Sequence, residues 1–460
     1  MESRAEIATD EDRTLCELPG PILIVASNAS DRFGGEAVLP LHYFRGLRQQ
    51  GFDVWLLTHA RVREELVESL GDEIHRVRFI EDTPVHRICW RIGTKLPLRL
   101  SAAWINFTLE LVTQFEARIA AKRMIRELGI CVVHQPTPVS PKSPSLLFGL
   151  GIPVVIGPMN GGMDYPEAFR AKYESALTRI LVRCGRLASN AANFVLPGKP
   201  LAAKVLVANS RTLHALPIGC KRQAGILVEN GVTTAELDAS DHSEGHSQSE
   251  PPFFTFVGRL VDWKGVDLLL RAFALLPARN QCMLEIIGDG PEISNLKSFC
   301  TQLEIGQQVR FQGFLPRQQC VERISRSLAL VLPSLYECGG AVVLEAMSVG
   351  VPVIATNWGG PPDYLNERCG LLIPPVSERQ FCESLSDAMN RLFDDPQLRA
   401  EMGRHARLRV RENFTWDLKI EKIVQEYRNV VAGEHFEAAK ESLSAPLRIE
   451  RHGCTEFRCE

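Results

Sequence analysis

No stretch of the 460-residue sequence reaches the roughly 18 uninterrupted apolar residues of a membrane span; runs such as 154–156 and 328–332 have the length of core strands. The N-terminus, Met1 to Asp12, is acidic and has no apolar segment of the kind a signal peptide needs. Excess charge of one sign is also missing. With 52 Lys+Arg against 55 Asp+Glu the net charge is −3, which argues against a surface built for nucleic acid. The thirteen cysteines are odd in number, scattered from Cys16 to Cys459, and form no CxxC pair and no cluster with histidines. They read as reduced thiols of a cytoplasmic protein, with or without peripheral attachment to the inner face of a membrane. The single DxD spacing, Asp10 and Asp12, sits in the acidic tail, so no metal site is expected. Neither GxGxxG nor GxxxxGK[ST] occurs, which counts against a dinucleotide oxidoreductase and a P-loop NTPase.

What is present is an ordinary globular composition, 45% hydrophobic and 23% charged, long enough for two or three domains. Residues 21–60 read as a βαβ opening: apolar Ile22 to Ala26, a polar turn with Gly34 and Gly35, an amphipathic stretch through Leu47, then Val54 to Leu57. Further strands are expected at 130–133 and 153–156. A long helix over 98–128 places Trp104, Phe107, Leu111, Phe115 and Ile119 at helical spacing, a face expected to be core or interlobe contact. Between Leu237 and Pro252 the composition turns to Ser, His, Glu, Asp and Pro, an exposed loop. The βαβ rhythm then restarts, with strands near 253–257, 283–287, 309–311 and 329–332 and a helix over 266–276. The expected fold is therefore α/β, two doubly wound lobes: an N-terminal lobe over 20–205 and a C-terminal lobe over 206–432. The last helix, about 413–432, is left free to cross back, and 1–19 and 433–460 are tails.

The sharpest segment is PSLYECGGAVVLEAMSVGVPVIATNWGGPPDYL, residues 333–365. Gly339 and Gly340 end a strand-to-helix turn. The unpaired N–H groups of Gly340, Ala341 and Val342 then form an anion site where glycine permits close approach of a phosphate. Glu345 lies five residues on, roughly 7 Å along the axis, where an acceptor-only carboxylate can take both hydrogens of a ribose diol. Glu337, before the turn, would face whatever the diphosphate carries at its far end. Arg259 and Lys264, in FVGRLVDWKG, flank the turn after the first strand of this lobe. Open α/β sheets bind ligands at that edge, and these cations could neutralise a departing diphosphate.

In these motifs, FVGRLVDWKGVDLLLRAF, IIGDGPE, VRFQGFL and the Glu337/Glu345 pair followed by VGVPVIAT, the sequence resembles the retaining glycosyltransferases of the GT-B fold, family 4, from about Ile22 to Tyr427. The resemblance implies two Rossmann-like lobes facing across a cleft, with the nucleotide sugar on the C-terminal lobe and the acceptor on the N-terminal one. It implies that Arg259 and Lys264 hold the diphosphate, Glu345 the ribose and Glu337 the donor sugar. Gly34 and Gly35 match the family's Gly-Gly loop, His134 a histidine near the transferred sugar, and Asn160, Gly161 and Gly162 another cleft loop. The loop at Gly288 to Pro291 would help choose the base, a UDP- or GDP-sugar being favoured as substrate, with no cofactor. One departure stands out: members commonly carry Glu-Gly-Phe-Gly where this chain has Glu337, Cys338, Gly339, Gly340. The expected activity is metal-independent, retaining transfer of a hexosyl group to a carbohydrate or lipid-linked hydroxyl acceptor in polysaccharide or glycolipid synthesis. A sugar-phosphate acceptor, as in sucrose-phosphate synthesis, and a catalytically silent nucleotide-sugar-binding protein remain as alternatives. The stretch from Phe169 to Lys204 carries seven basic residues among leucines and isoleucines, with Glu174 its only acid. It reads either as a helix with one solvated face or as a contact with anionic lipid.

Overall fold

The computed structural model describes residues 18–32, 35–93, 98–174, 176–239 and 251–433. Two all-parallel sheets organise them. The first has the order β3-β2-β1-β4-β5-β6-β7, from β1 (Ile22–Val25), β2 (Val54–His59), β3 (Val77–Ile80), β4 (Val132–Gln135), β5 (Val154–Met159), β6 (Lys204–Val207) and β7 (Ala224–Ile226). The second runs β10-β9-β8-β11-β12-β13, from β8 (Phe253–Val257), β9 (Met283–Ile287), β10 (Val309–Gly313), β11 (Leu330–Leu332), β12 (Val353–Thr356) and β13 (Gly370–Ile373). Each is an α/β lobe of the doubly wound kind that the alternating pattern predicts.

Why the strands read as continuous apolar runs is visible in β1. Its side chains alternate between faces, and both faces are covered. Ile22 and Ile24 pack with the helix Leu39–Gln49 and the C-terminal helix Trp416–Val431, while Leu23 and Val25 pack on the other side with Ala117, Ala121 and Met124 of the helix Leu98–Leu128. That long helix was expected to bury its Phe107 face. Instead Phe107, Phe115 and Ile119 are exposed, because Ala117, Ala121 and Met124 are the residues turned to the sheet. The side chain of Trp104 lies outside the described residues.

The lobe boundary differs from the expected one. Residue 205 falls inside β6, and β7 extends the same sheet, so the N-terminal lobe runs to about 226. The chain crosses at 227–233 and returns at 414–416 beside itself: Val232 N–H donates to Phe414 C=O (2.9 Å) and Trp416 N–H to Val232 C=O (2.9 Å). The returning helix places Trp416, Ile420, Ile423, Val424, Tyr427 and Val430 at helical spacing into the N-terminal core. A third link is the helix Glu167–Tyr173, whose Phe169 is buried in the core of the C-terminal lobe, edge-on to Phe381.

Candidate active site between the lobes

On the C-terminal lobe, Lys264 and Glu337 form an ion pair, both mostly buried, across the ends of β8 and β11. The sequence separates them by 73 positions and the fold brings them together. Arg259 is exposed at the same edge with its guanidinium over the Trp263 ring, 5.9 Å from the centroid. Gly288 closes the neighbouring turn at φ +139°, and a Cβ there would lie 1.9 Å from Gly258 C=O, so the ends of β8 and β9 approach as only glycine allows. Gly340 stands in the left-handed region before the helix Ala341–Ser348, leaving the N–H groups of Ala341 and Val342 at the opening of that helix. Glu345, one turn further, is held by Arg317 (Nε to Oε1, 2.7 Å), which also pairs with Glu236.

The departure at Gly339 has a steric counterpart. A Cβ on Gly339 would lie 2.3 Å from Glu229 Oε1 and 2.6 Å from Asn230 Nδ2, so the space an aromatic would take is filled by these two side chains. Glu229 is buried, accepts hydrogen bonds from Asn160 and Asn230, and faces the buried Lys419 ammonium. Burial pushes the Glu229 carboxyl up and the Lys419 ammonium down. Cys338, next to Glu337 in the chain, has its thiol pushed up to about 11, first by burial and then by Glu337. At neutral pH it is a thiol and not a nucleophile.

The predicted cleft loop at Asn160 is where the lobes join. Asn160 Nδ2 donates to Cys338 C=O (2.8 Å), Asn209 Nδ2 to Asp363 (2.7 Å), Arg211 to Gly359 C=O (2.7 Å), and Trp358 Nε1 to Asp164 C=O (2.9 Å). The Gly339 loop is thus fixed from the opposite lobe.

His134 is not at the cleft. It lies within β4, not after it, and is fully buried; Nε2–H donates to Gly157 C=O (2.6 Å) and Nδ1 accepts from the Tyr427 hydroxyl (2.7 Å). Burial pushes its pKa down to about 4. A ring with both nitrogens spent in the core cannot touch a sugar in the cleft. Gly34 lies outside the described residues, and Gly35 has φ +57° at the start of a short 3-10 turn. Next to it, a cavity of about 260 Å³ opens at the ends of β1 and β4, lined by Ser27, Asn28, Glu36 and Glu110 among others. This is the point where strand order reverses, the usual ligand crevice of such sheets. Burial and the nearby Glu110 push the Glu36 carboxyl up, and Glu36 is among the charges that raise the Cys338 thiol across the cleft.

A second cavity, about 280 Å³, lies at the ends of β2 and β3 with Arg61, Asp82, His86, Arg87, Arg91 and Leu109 on its wall. Here His59, Asp82 and His86 bring potential metal-ligating atoms within 4.8 Å of one another, a grouping the sequence reading did not foresee. The rings are already engaged. His59 Nδ1 accepts from Arg61 N–H (3.2 Å) and its Nε2 faces Asp82 (3.3 Å), while His86 Nδ1 accepts from Thr83 N–H (3.1 Å) and Nε2 lies 3.0 Å from Thr113 Oγ1. Asp10 and Asp12 lie outside the described residues.

Sequence reasoning missed Arg317, Glu229, Glu36 and Glu110. Only Glu36 carried a local signal, its position directly after the Gly34–Gly35 turn; the others reach the site through tertiary contacts.

Residues 238–409 match the family described as glycosyl transferases group 1. An uncharacterised glycosyltransferase of Methanocaldococcus jannaschii is 30% identical over 182 residues, covering 39% of this chain and 46% of that protein. The chain spans about half or less of the length of such curated relatives. Among solved structures, a glycosyltransferase from Rickettsia africae superposes with TM-score 0.63 at 16% identity, over 90% of this chain and 99% of that one. An Anabaena protein solved in complex with UDP superposes with TM-score 0.58 at 16% identity, over 88% and 99%. Two facing parallel-sheet lobes give this chain the GT-B fold, and the part of its second lobe with Lys264, Glu337 and Glu345 lies within the segment that matches the group 1 glycosyl transferases.

Proposed function

We propose that the chain transfers a hexosyl group, with retention and without a metal, from a UDP- or GDP-sugar to a hydroxyl acceptor in polysaccharide or glycolipid synthesis. The observation that carries this reading is the Lys264–Glu337 pair beside a helix that opens at Gly340 and carries Glu345 one turn in. A diphosphate placed against the N–H groups of Ala341 and Val342 takes over the Lys264 charge, with Arg259 at its outer side. Glu337, released from Lys264, is then free to accept hydrogen bonds from donor-sugar hydroxyls, and Glu345, oriented by Arg317, takes the ribose diol. The bond from the anomeric carbon to the diphosphate oxygen breaks while the acceptor oxygen attacks from the same face, and the acceptor's proton passes to the departing oxygen. No side chain of the chain needs to act as nucleophile. The fixed positive field lowers the barrier by stabilising the charge that develops on the leaving group. The crevice with Glu36 and Glu110 suits a hydroxyl-rich acceptor.

Replacing Glu345 with Ala removes hydrogen bonds to a charged acceptor, each worth about 1.5–3 kcal/mol. With two such bonds to the ribose diol lost, nucleotide affinity, read by calorimetry, is expected to fall at least about 100-fold. An unchanged affinity would remove Glu345 from the ribose.

A second reading, transfer to a sugar phosphate, draws on the cavity with Arg61, Arg87 and Arg91 on its wall. If a phosphorylated acceptor sits there, Arg87→Ala raises the acceptor KM by about tenfold, the order of one charge-assisted hydrogen bond, and leaves the donor KM alone. Equal KM values for both substrates in variant and parent would exclude it.

A further inference from the structure

The helix Ala176–Val195 is amphipathic in the inverse sense. At 100° per residue, Ile180, Cys184, Leu187, Ala191 and Phe194 fall on one stripe about 80° wide. In a helix of a globular protein that stripe is turned to the core. Here it is turned to solvent: Ile180 is 57% exposed, Leu187 70%, Phe194 83% and the adjacent Val195 72%, with Cys184 and Ala191 exposed as well. The side that meets the protein is the polar one. Ser189 Oγ (2.5 Å) and Asn193 Nδ2 (3.1 Å) both donate to Lys142 C=O, and Arg186 pairs with Asp164. These hydrogen bonds fix which way the helix faces, so the apolar stripe is held outward.

We propose that this helix is the surface by which the chain lies on an anionic lipid bilayer. Charge selects the occupant. The helix carries Arg179, Arg183 and Arg186 and no acidic residue. Arg179 and Arg183 are exposed along one border of the stripe, where they meet headgroup phosphates when the apolar residues enter the acyl boundary. Two copies of this face pressed together would instead oppose like charges. The helix is about 30 Å long at 1.5 Å per residue, and no helix among the described residues is long and apolar enough to cross a membrane. It therefore lies in the interfacial plane. The inference does not rest on the identity of the donor or acceptor, and it places the N-terminal lobe, the expected acceptor side, against the lipid.

The test is co-sedimentation of the purified full chain with vesicles of phosphatidylcholine alone and of phosphatidylcholine mixed with phosphatidylglycerol, at low and high salt. Binding is expected to the anionic vesicles, weakened by salt. It should fall at least about tenfold in Leu187→Ser/Phe194→Ser, and also fall in Arg179→Gln/Arg183→Gln. All these side chains are exposed, so both variants should keep the parent's melting temperature and its nucleotide affinity. Sedimentation of the parent equal on neutral and anionic vesicles, or equal for parent and variants, overturns the proposal. So does a lipid-free dimer that the Leu187→Ser/Phe194→Ser substitutions dissociate, since the stripe would then be covered by a second copy.

Discussion

Lys264→Ala is expected to lower the rate of donor turnover by roughly 10²–10³-fold, the loss seen when one preorganised group is removed from a developing anion. The same assay, transfer or slow hydrolysis of a nucleotide sugar, should show a comparable loss in Glu337→Gln. The two residues are paired with each other, so each variant leaves the other without its counter-ion at the rim of the β8 and β11 ends. Stability and activity are therefore read together. Circular dichroism and a melting curve close to the parent's show that the lobe is folded; turnover is then compared at saturating donor. If the loss were only a weakened pair, affinity and melting temperature would shift and turnover at saturation would not. Unchanged turnover in both variants would remove the pair from the reaction.

His134→Ala is expected to do the opposite, to cost stability and spare donor binding. The substitution empties a fully buried site and leaves Gly157 C=O and the Tyr427 hydroxyl without partners, a loss of about 3–5 kcal/mol. Urea denaturation reads it directly. The histidine also predicts an acid limb. The unfolded chain takes up this proton near the ordinary value of about 6.5, and the folded chain only near 4. The stability that burial of the neutral ring confers is therefore complete above the unfolded value and is lost as pH falls from there toward 4, by about 3 kcal/mol over that window. The parent should lose stability across this range more steeply than the His134→Ala variant. Parallel pH profiles, or a variant that melts like the parent but has lost turnover, would return His134 to the cleft.

The C-terminal lobe was the more legible half because its chemistry is local. A glycine turn, a helix start and a glutamate one turn later are consecutive in sequence, so spacing alone places Gly340 just before the helix that carries Glu345, and the structure has Gly340 capping that helix and Glu345 within it. What spacing does not contain is the partner: Arg317 reaches Glu345 from another helix, and Glu229 fills the room beside Gly339 from the crossing segment. In β4 the expected strand at 130–133 would end before His134, whereas the observed strand includes it. His134 pairs in register with Ile24 and shares its buried face, and one strand residue more or less decides whether a side chain is core or rim. The helix Ala176–Val195 shows a different limit. Its periodicity reads correctly as amphipathic, but period says nothing about which face meets the protein; the hydrogen bonds to Lys142 C=O decide that, and they depend on a loop far back in the chain. The lobe boundary moved for a similar reason, since β6 and β7 are added to the first sheet by pairing that no local signal announces.

Under the proposed function, the site around Lys264, Glu337 and Glu345 binds a nucleoside diphosphate. Calorimetric titration of the full chain with UDP, GDP, ADP and dTDP, in buffer containing EDTA, tests it most directly. At least one of the four should bind at one site per chain in the micromolar to millimolar range, with affinity reduced in both Lys264→Ala and Glu345→Ala. Absence of binding by all four, or binding that neither variant alters, would contradict the account.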